Sequence, residues 1–229
     1  RYAHPFVKVF EEERELTVML LVDMTGSTAF GTQSESIREL NTELAATLAF
    51  SAIQNNDKVG AIFFTDQIEL FIPARSGRKH ILYLIRELLS FEPKSQGTDL
   101  NVPLSYLNQV IKRRCTAFLI SDFLHWGADY RTSLSLAARR HDLVAIRTYD
   151  AGAMQLPRLG LVQLQDAESG RCRWVDTSSR SLREAYEQQL EAQLAAFHQN
   201  CLRSGVDHIE LAAGRDYTPE FLRLFGRRS

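Results

Sequence analysis

Leu16-Thr17-Val18-Met19-Leu20-Leu21-Val22-Asp23-Met24-Thr25-Gly26-Ser27 is the stretch on which the reading of this chain turns. From Leu16 to Val22 it is almost wholly apolar and lacks the polar–apolar alternation of a half-exposed strand. Such a run reads as a strand buried on both faces, the usual state of a central strand in a parallel sheet. It stops at an aspartate and enters a short polar loop. In an open parallel sheet the ligand site lies where loops leave the C-terminal ends of strands, so this loop holds the first candidates for function.

Working outward, Ile37, Leu40, Leu44 and Leu48 recur at helical spacing, Ser36 with Glu39 has the capping-box pattern, and Asn55-Asn56 supplies a stop. Val59 to Phe64 and Ile68 to Ile72, separated by Thr65-Asp66-Gln67, predict a hairpin at the sheet's margin. A helix follows with Ile81, Leu84, Ile85, Leu88 and Leu89 on one apolar face and Pro93 beyond its end. Gly97-Thr98-Asp99 is a loop leading into a helix through Leu104, Leu107 and Ile111, with Asn101 as its cap and Pro103 in its first turn.

Thr116 to Ser121 repeats the opening pattern, a buried run ending at Asp122, before a loop that carries His125 and Trp126. A weaker helix through Leu134, Ala137 and Ala138 precedes the strand Leu143 to Thr148. After Asp150, Leu161 to Gln165 and Cys172 to Val175 predict a second hairpin that extends or decorates the sheet. The longest helix is expected from about Ser181 to Leu202, with Leu182, Tyr186, Leu190, Leu194, Phe197 and Cys201 on one face, and Val206 to Leu211 reads as a last edge strand. This alternation predicts an α/β fold: a mostly parallel central sheet, helices on both faces, and one antiparallel edge strand. No Pro/Gly/Ser-rich linker divides the chain, so one domain is expected over residues 1–229, with a lead-in segment at 1–15 and a hairpin insertion at 151–180.

Composition narrows the function classes. With 45% hydrophobic and 24% charged residues the chain is suited to a compact globule. Its 27 basic and 28 acidic side chains leave a net charge of -1, and no basic stripe with interleaved aromatics is present, which argues against nucleic acid as a partner. Three widely spaced cysteines, Cys115, Cys172 and Cys201, indicate neither a disulfide framework nor a zinc cluster, and a reducing cytoplasm is the expected setting. The chain opens at Arg1 rather than Met, so a fragment is expected, and a membrane anchor outside it is left open.

Three loops meet the strand-end criterion: Asp23-Met24-Thr25-Gly26-Ser27, Gly97-Thr98-Asp99 and Ser121-Asp122. Asp23, Thr25 and Ser27 are spaced by two, so a tight glycine-containing turn directs their oxygens toward one point. Hydroxyl and carboxylate oxygens are hard ligands and suit Mg²⁺ first, with Mn²⁺ or Ca²⁺ as alternatives. Thr98 adds a hydroxyl, and Asp122 a second carboxylate, directly or through water. Two carboxylates roughly neutralise a divalent cation, and the neutral hydroxyls leave it an appetite for another anion, such as a carboxylate of a partner protein. Taken singly, Asp23 is an ordinary turn residue and Ser27 or Thr98 an ordinary helix cap; the conjunction of three loops favours the metal. Asp66 and Asp99 are read as turn and helix-start residues and left out of the ligand set. His125 and Trp126 either contact a partner or pack under their own loop.

Asp23-Met24-Thr25-Gly26-Ser27, with Thr98 and Asp122, resembles the metal-ion-dependent adhesion site of von Willebrand factor A domains. The usual first motif is Asp-x-Ser-x-Ser, and Thr25 departs from it at the middle hydroxyl while keeping an oxygen that can ligate. A closer resemblance, covering nearly the whole chain, is to the bacterial domain-of-unknown-function family fifty-eight, an A-like domain commonly encoded beside MoxR-type AAA+ ATPases. Phe6-Val7-Lys8-Val9-Phe10-Glu11-Glu12-Glu13-Arg14-Glu15, Gly160-Leu161-Val162 leading to Asp166-Ala167-Glu168, and Val175-Asp176-Thr177 carry it. The resemblance implies a von Willebrand factor A-like fold and an adaptor or chaperone-like role beside such an ATPase or its client. No catalytic residue is assigned. The alternative is a metal-dependent, phosphatase-like hydrolase using Asp23 as nucleophile. Haloacid-dehalogenase-type phosphatases place a second aspartate two residues later, where this chain has Thr25.

Overall fold

In the computed structural model, which describes residues 15–25, 37–95, 97–124, 129–165 and 172–226, the opening apolar run is a central strand. In chain order the elements are β1 (Thr17–Asp23), α1 (Ile37–Gln54), β2 (Lys58–Phe64), β3 (Ile68–Arg75), α2 (Arg78–Ser90), α3 (Asn101–Val110), β4 (Thr116–Ser121), α4 (Arg131–Arg140), β5 (Asp142–Tyr149), β6 (Leu161–Gln165), β7 (Cys172–Asp176), α5 (Arg180–Ser204), β8 (Asp207–Ala212) and α6 (Thr218–Gly226). Six strands form one sheet in the order β3-β2-β1-β4-β5-β8. β1, β2, β4, β5 and β8 run parallel, and β3 alone is antiparallel, at the edge beside β2. The expected fold class, with its antiparallel edge strand from the first hairpin, is therefore observed.

Burial on both faces explains why β1 reads as an unbroken apolar run. Val18, Leu20 and Val22 point into one core layer, with Leu40, Leu44 and Leu48 of α1, Ile81, Leu84 and Leu88 of α2, and Phe221 and Leu224 of α6. Met19 and Leu21 point into the other, with Leu104 and Leu107 of α3, Leu134 of α4, and Phe197 and Cys201 of α5. Fully burying such a side chain stabilises the fold by roughly 1.5–3 kcal/mol before the entropy of ordering is counted. Gly60 in β2 is required by close packing: a Cβ there would lie 2.7 Å from the Ile72 carbonyl oxygen and 2.9 Å from Met19 Sδ.

Several expectations need correcting. Asn101 does not cap α3 as the preceding residue; it is the helix's first residue, and the capping acceptor is Asp99, whose Oδ1 receives the Asn101 backbone N–H at 2.9 Å. Leu89 is off the apolar face of α2 and 71% exposed, because a helix turns about 100° per residue and the buried stripe runs through Leu84 and Leu88. α5 covers the sheet only from Leu190 onward; Tyr186 instead donates its hydroxyl to the Ala153 carbonyl at 2.8 Å. β6 and β7 pair only with each other, so the second hairpin decorates the sheet without extending it. α6 was not anticipated, although Asp216, Thr218-Pro219-Glu220 and then Phe221 and Leu224 form a legible start and apolar face; Asp216 Oδ1 accepts the Thr218 N–H at 2.9 Å. Ser36 of the expected capping box lies outside the described residues.

Candidate metal centre

β1, β2 and β4 are neighbours and run parallel, so their C-terminal ends open on the same rim of the sheet. Asp23 closes β1 and is wholly buried. Its Oδ1 accepts the Thr25 backbone N–H at 3.0 Å, which folds the start of the loop back over the strand end. Its Oδ2 accepts the Ser121 hydroxyl at 2.6 Å, a link from β1 to β4 across 98 residues of sequence. Ser121 Oγ in turn accepts the Phe123 N–H at 3.1 Å, and Asp122 Oδ1 accepts the Leu124 N–H at 2.9 Å. Phe123 sits at a left-handed φ of 55°, which turns the chain sharply just after the two rim residues.

The loop with Thr98 reaches the same rim through β2. Met24 N–H donates to the Phe64 carbonyl at 2.9 Å, and Asp99 N–H donates to the carbonyl of Thr65, the next residue, at 3.3 Å. Behind the rim, Asn41 of α1 donates from Nδ2 to the Asp23 carbonyl at 3.5 Å and accepts the Thr148 hydroxyl at 2.7 Å. Asp23, Thr25, Asn41, Ser121, Asp122 and Thr148 are all buried, a dense polar set at the rim.

The Thr98 hydroxyl oxygen is buried and has no hydrogen-bond partner. Buried polar atoms are normally satisfied, so this hydroxyl can take a partner, as can the buried unpartnered atoms of Asn108, His141, Gln193 and Glu220 elsewhere in the fold. The donor set is all oxygen, as hard divalent cations require. The residues present therefore fit such a cation. Among the described residues, here or elsewhere, no group of three or more His, Cys, Asp or Glu that could hold a metal ion occurs, so the rim offers two carboxylates and hydroxyls only.

Of the expected ligands, the structure brings Asp23, Thr25, Thr98 and Asp122 to one rim. Ser27, and the partner-contact candidates His125 and Trp126, lie outside the described residues. Ser121 of the third strand-end loop and Thr65 of the hairpin turn stand outside the expected ligand set, and Asn41 outside every expectation. Ser121 stands next to Asp122 at a strand end and was legible as polar at a buried position; Asn41 and Thr148 carry no local signal.

A second polar cluster lies on the other flank. Arg147 of β5 is buried and pairs with Glu210 of β8 at 2.6 Å, while His198 Nε2 of α5 lies 2.7 Å from the other Glu210 oxygen. The Arg147 guanidinium also stands 4.9 Å from the centre of the Tyr149 ring. Here the cation is already supplied by the protein, and the cluster ties α5 and β8 to the sheet.

Comparison with known proteins supports this fold. The chain is similar to the conserved hypothetical protein BatB of Bacteroides thetaiotaomicron, with a TM-score of 0.63 at 15% identity over 93% of this chain and 97% of that one. It is also similar to an aerotolerance-related membrane protein of Bacteroides fragilis, with a TM-score of 0.61 at 16% identity over the same shares, 93% and 97%. At such identities the likeness shows a shared von Willebrand factor A-like fold and nothing further. Among the described residues no helix is long and apolar enough to cross a membrane. Uncharacterized proteins of Mycobacterium bovis and Mycobacterium tuberculosis are 31% identical over 230 aligned residues, spanning 100% of this chain and 72% of each of them. Residues 1–196 match the model of the family described as Protein of unknown function DUF58, and the chain belongs to that family.

Proposed function

We propose that this chain is a non-enzymatic, metal-dependent protein-binding module whose rim site holds a divalent cation, Mg²⁺ first, and through it a carboxylate of a partner protein. The observation that carries the reading is the buried, unpartnered Thr98 hydroxyl on the rim that also bears Asp23 and Asp122. When bound, the cation supplies a Lewis-acidic docking point for an anionic side chain. The protein's part is to hold its oxygens still. Thr25 N–H and the Ser121 hydroxyl fix the two Asp23 oxygens, and Leu124 N–H orients Asp122. Supporting hydrogen bonds of this kind typically change metal affinity by about 10- to 100-fold.

The same geometry supports a binding role over hydrolysis. Asp23 is wholly buried at the end of β1, whereas a nucleophilic carboxylate must be reached by its substrate. Thr25 occupies the position where a phosphatase of this type would carry its proton donor. The family resemblance extends the proposal to the partner: a MoxR-type AAA+ ATPase or its client, in the cytoplasm.

Calorimetric titration with Mg²⁺ and Mn²⁺ tests the site. Saturable binding by the wild-type chain, lost in Asp23→Ala, is expected; equal affinity in the variant overturns the assignment. Capture of the ATPase or client is expected to weaken in EDTA, and capture indifferent to chelator would reject the metal bridge.

A further inference from the structure

Thr98 is useful to a cation only if its loop is held, and the holding falls to a residue outside the ligand set. In the antiparallel pairing of β2 with β3, Phe64 faces Ile68 while Phe63 faces Leu70, so Glu69 is the extra residue of a bulge. A bulged residue leaves the ladder and has its side chain re-aimed, and bulges concentrate beside functional sites. Glu69 is aimed along the rim. Its Oε1 accepts the Thr65 hydroxyl at 2.9 Å, the Gln67 side-chain amide at 3.1 Å, the Lys94 N–H at 3.2 Å and the Ser95 N–H at 3.1 Å.

These four donors come from two segments that lie outside any strand or helix and are separated in the chain by β3 and α2. Thr65 and Gln67 belong to the β2–β3 turn, and Lys94 and Ser95 open the segment that runs to Thr98. Downstream the same segment is caught again, where Asp99 N–H reaches the Thr65 carbonyl at 3.3 Å. The Thr98 loop is thus pinned on both sides to the turn that follows β2, the strand beside Asp23. Burial pushes the Glu69 carboxyl up, yet its several donors together outweigh this and hold it below the ordinary carboxylate value.

We infer that Glu69 is the positioning residue of the rim: its carboxylate clamps the segment entering the Thr98 loop to the β2–β3 turn and so presents the Thr98 hydroxyl to the cation. This rests on the metal reading above for its consequence, and on the bulge and its hydrogen bonds for its cause. Glutamine keeps an acceptor oxygen of the same reach, whereas alanine removes it.

Two measurements on the same proteins separate the two claims. Residue-resolved amide exchange is expected to accelerate at Lys94, Ser95 and Asp99 in Glu69→Ala and to return close to wild type in Glu69→Gln. Mg²⁺ and Mn²⁺ titration is expected to show affinity lower by about 10-fold or more in Glu69→Ala and largely rescued in Glu69→Gln, the range for supporting residues of metal sites. Unchanged exchange at those amides in Glu69→Ala overturns the clamp. Faster exchange with unchanged affinity overturns its role in positioning Thr98. Absence of metal binding by the wild-type chain, with exchange still accelerated in Glu69→Ala, overturns the metal reading while leaving the clamp standing.

Discussion

The two ends of β4 each bury a polar cluster that holds one unpartnered atom, and they differ in charge. At the start of the strand, Cys115 Sγ lies 3.3 Å from His141 Nδ1, and His141 Nε2 is buried without a partner. At its finish, Ser121 and Asp122 meet Asp23 on the rim where the Thr98 hydroxyl is orphaned. A thiol beside an imidazole has the outward look of a nucleophile with its base. Burial, with Asp142 nearby, pushes the Cys115 thiol up to about 12, and burial together with Arg140 and Arg114 pushes the His141 imidazole down. Both groups are therefore held in their neutral forms, with no thiolate to attack and no charge to balance. The rim gathers two carboxylates instead, Asp23 and Asp122, the charge that the proposed cation would balance. Burial of polar groups marks neither end as functional; the charge the cluster must accommodate separates them.

The comparison breaks most sharply on Asp122. Asp122→Ala is expected to lower Mg²⁺ affinity by on the order of 100-fold or more, exceeding the usual effect of a supporting residue, as read by calorimetry. Retained affinity would remove the charge distinction between the two ends. Ser121→Ala sharpens it, since Asp23 keeps its charge and loses only the 2.6 Å hydroxyl bond; a loss of roughly 10-fold is expected in the same titration.

The opposite end is tested by acid. The His141 imidazole takes a proton near its ordinary 6.5 in the unfolded chain and only at lower pH in the folded one. The unfolded state therefore binds more protons below 6.5, and stability is lost as pH falls from there through the depressed folded value. Urea midpoints measured across that window are expected to fall with pH in the wild-type chain and less steeply in His141→Gln; parallel curves would contradict the buried neutral imidazole. The smallest effect is expected at Cys115. Iodoacetamide at mild alkaline pH should label the exposed Cys172 and leave Cys115 unmodified in the native chain, read by mass spectrometry. Comparable labelling of both would show an accessible thiol, and Cys115→Ala should leave metal affinity unchanged.

Much of this was legible before any coordinates. The runs ending at Asp23 and Asp122 announce buried parallel strands with polar exits, and Asp99 reads as the helix-start residue it is. The rest is less legible, for reasons that differ from element to element. Leu89 was placed on the buried stripe because a helix with several leucines leaves its apolar face loosely defined by spacing alone. α6 gives a weak signal because it is only 9 residues long. Glu69 looked like one more polar residue in a hairpin, since a bulge is a property of two strands in register and not of either one.

By itself, then, the sequence determined the order of strands and helices as far as β8, the two-sided burial of β1, and the oxygen-bearing character of the loops at the strand ends, because hydrophobic periodicity and loop chemistry act between residues near one another in the chain. Tertiary structure decided which of those oxygens are engaged and which is orphaned: Ser121 on Asp23, Asn41 between Asp23 and Thr148, and Glu69 gripping the entry to the Thr98 loop. Those contacts depend on strand register and loop docking across tens of residues, and hydrogen bonds that depend so steeply on distance and angle exist only once the packed sheet has set both.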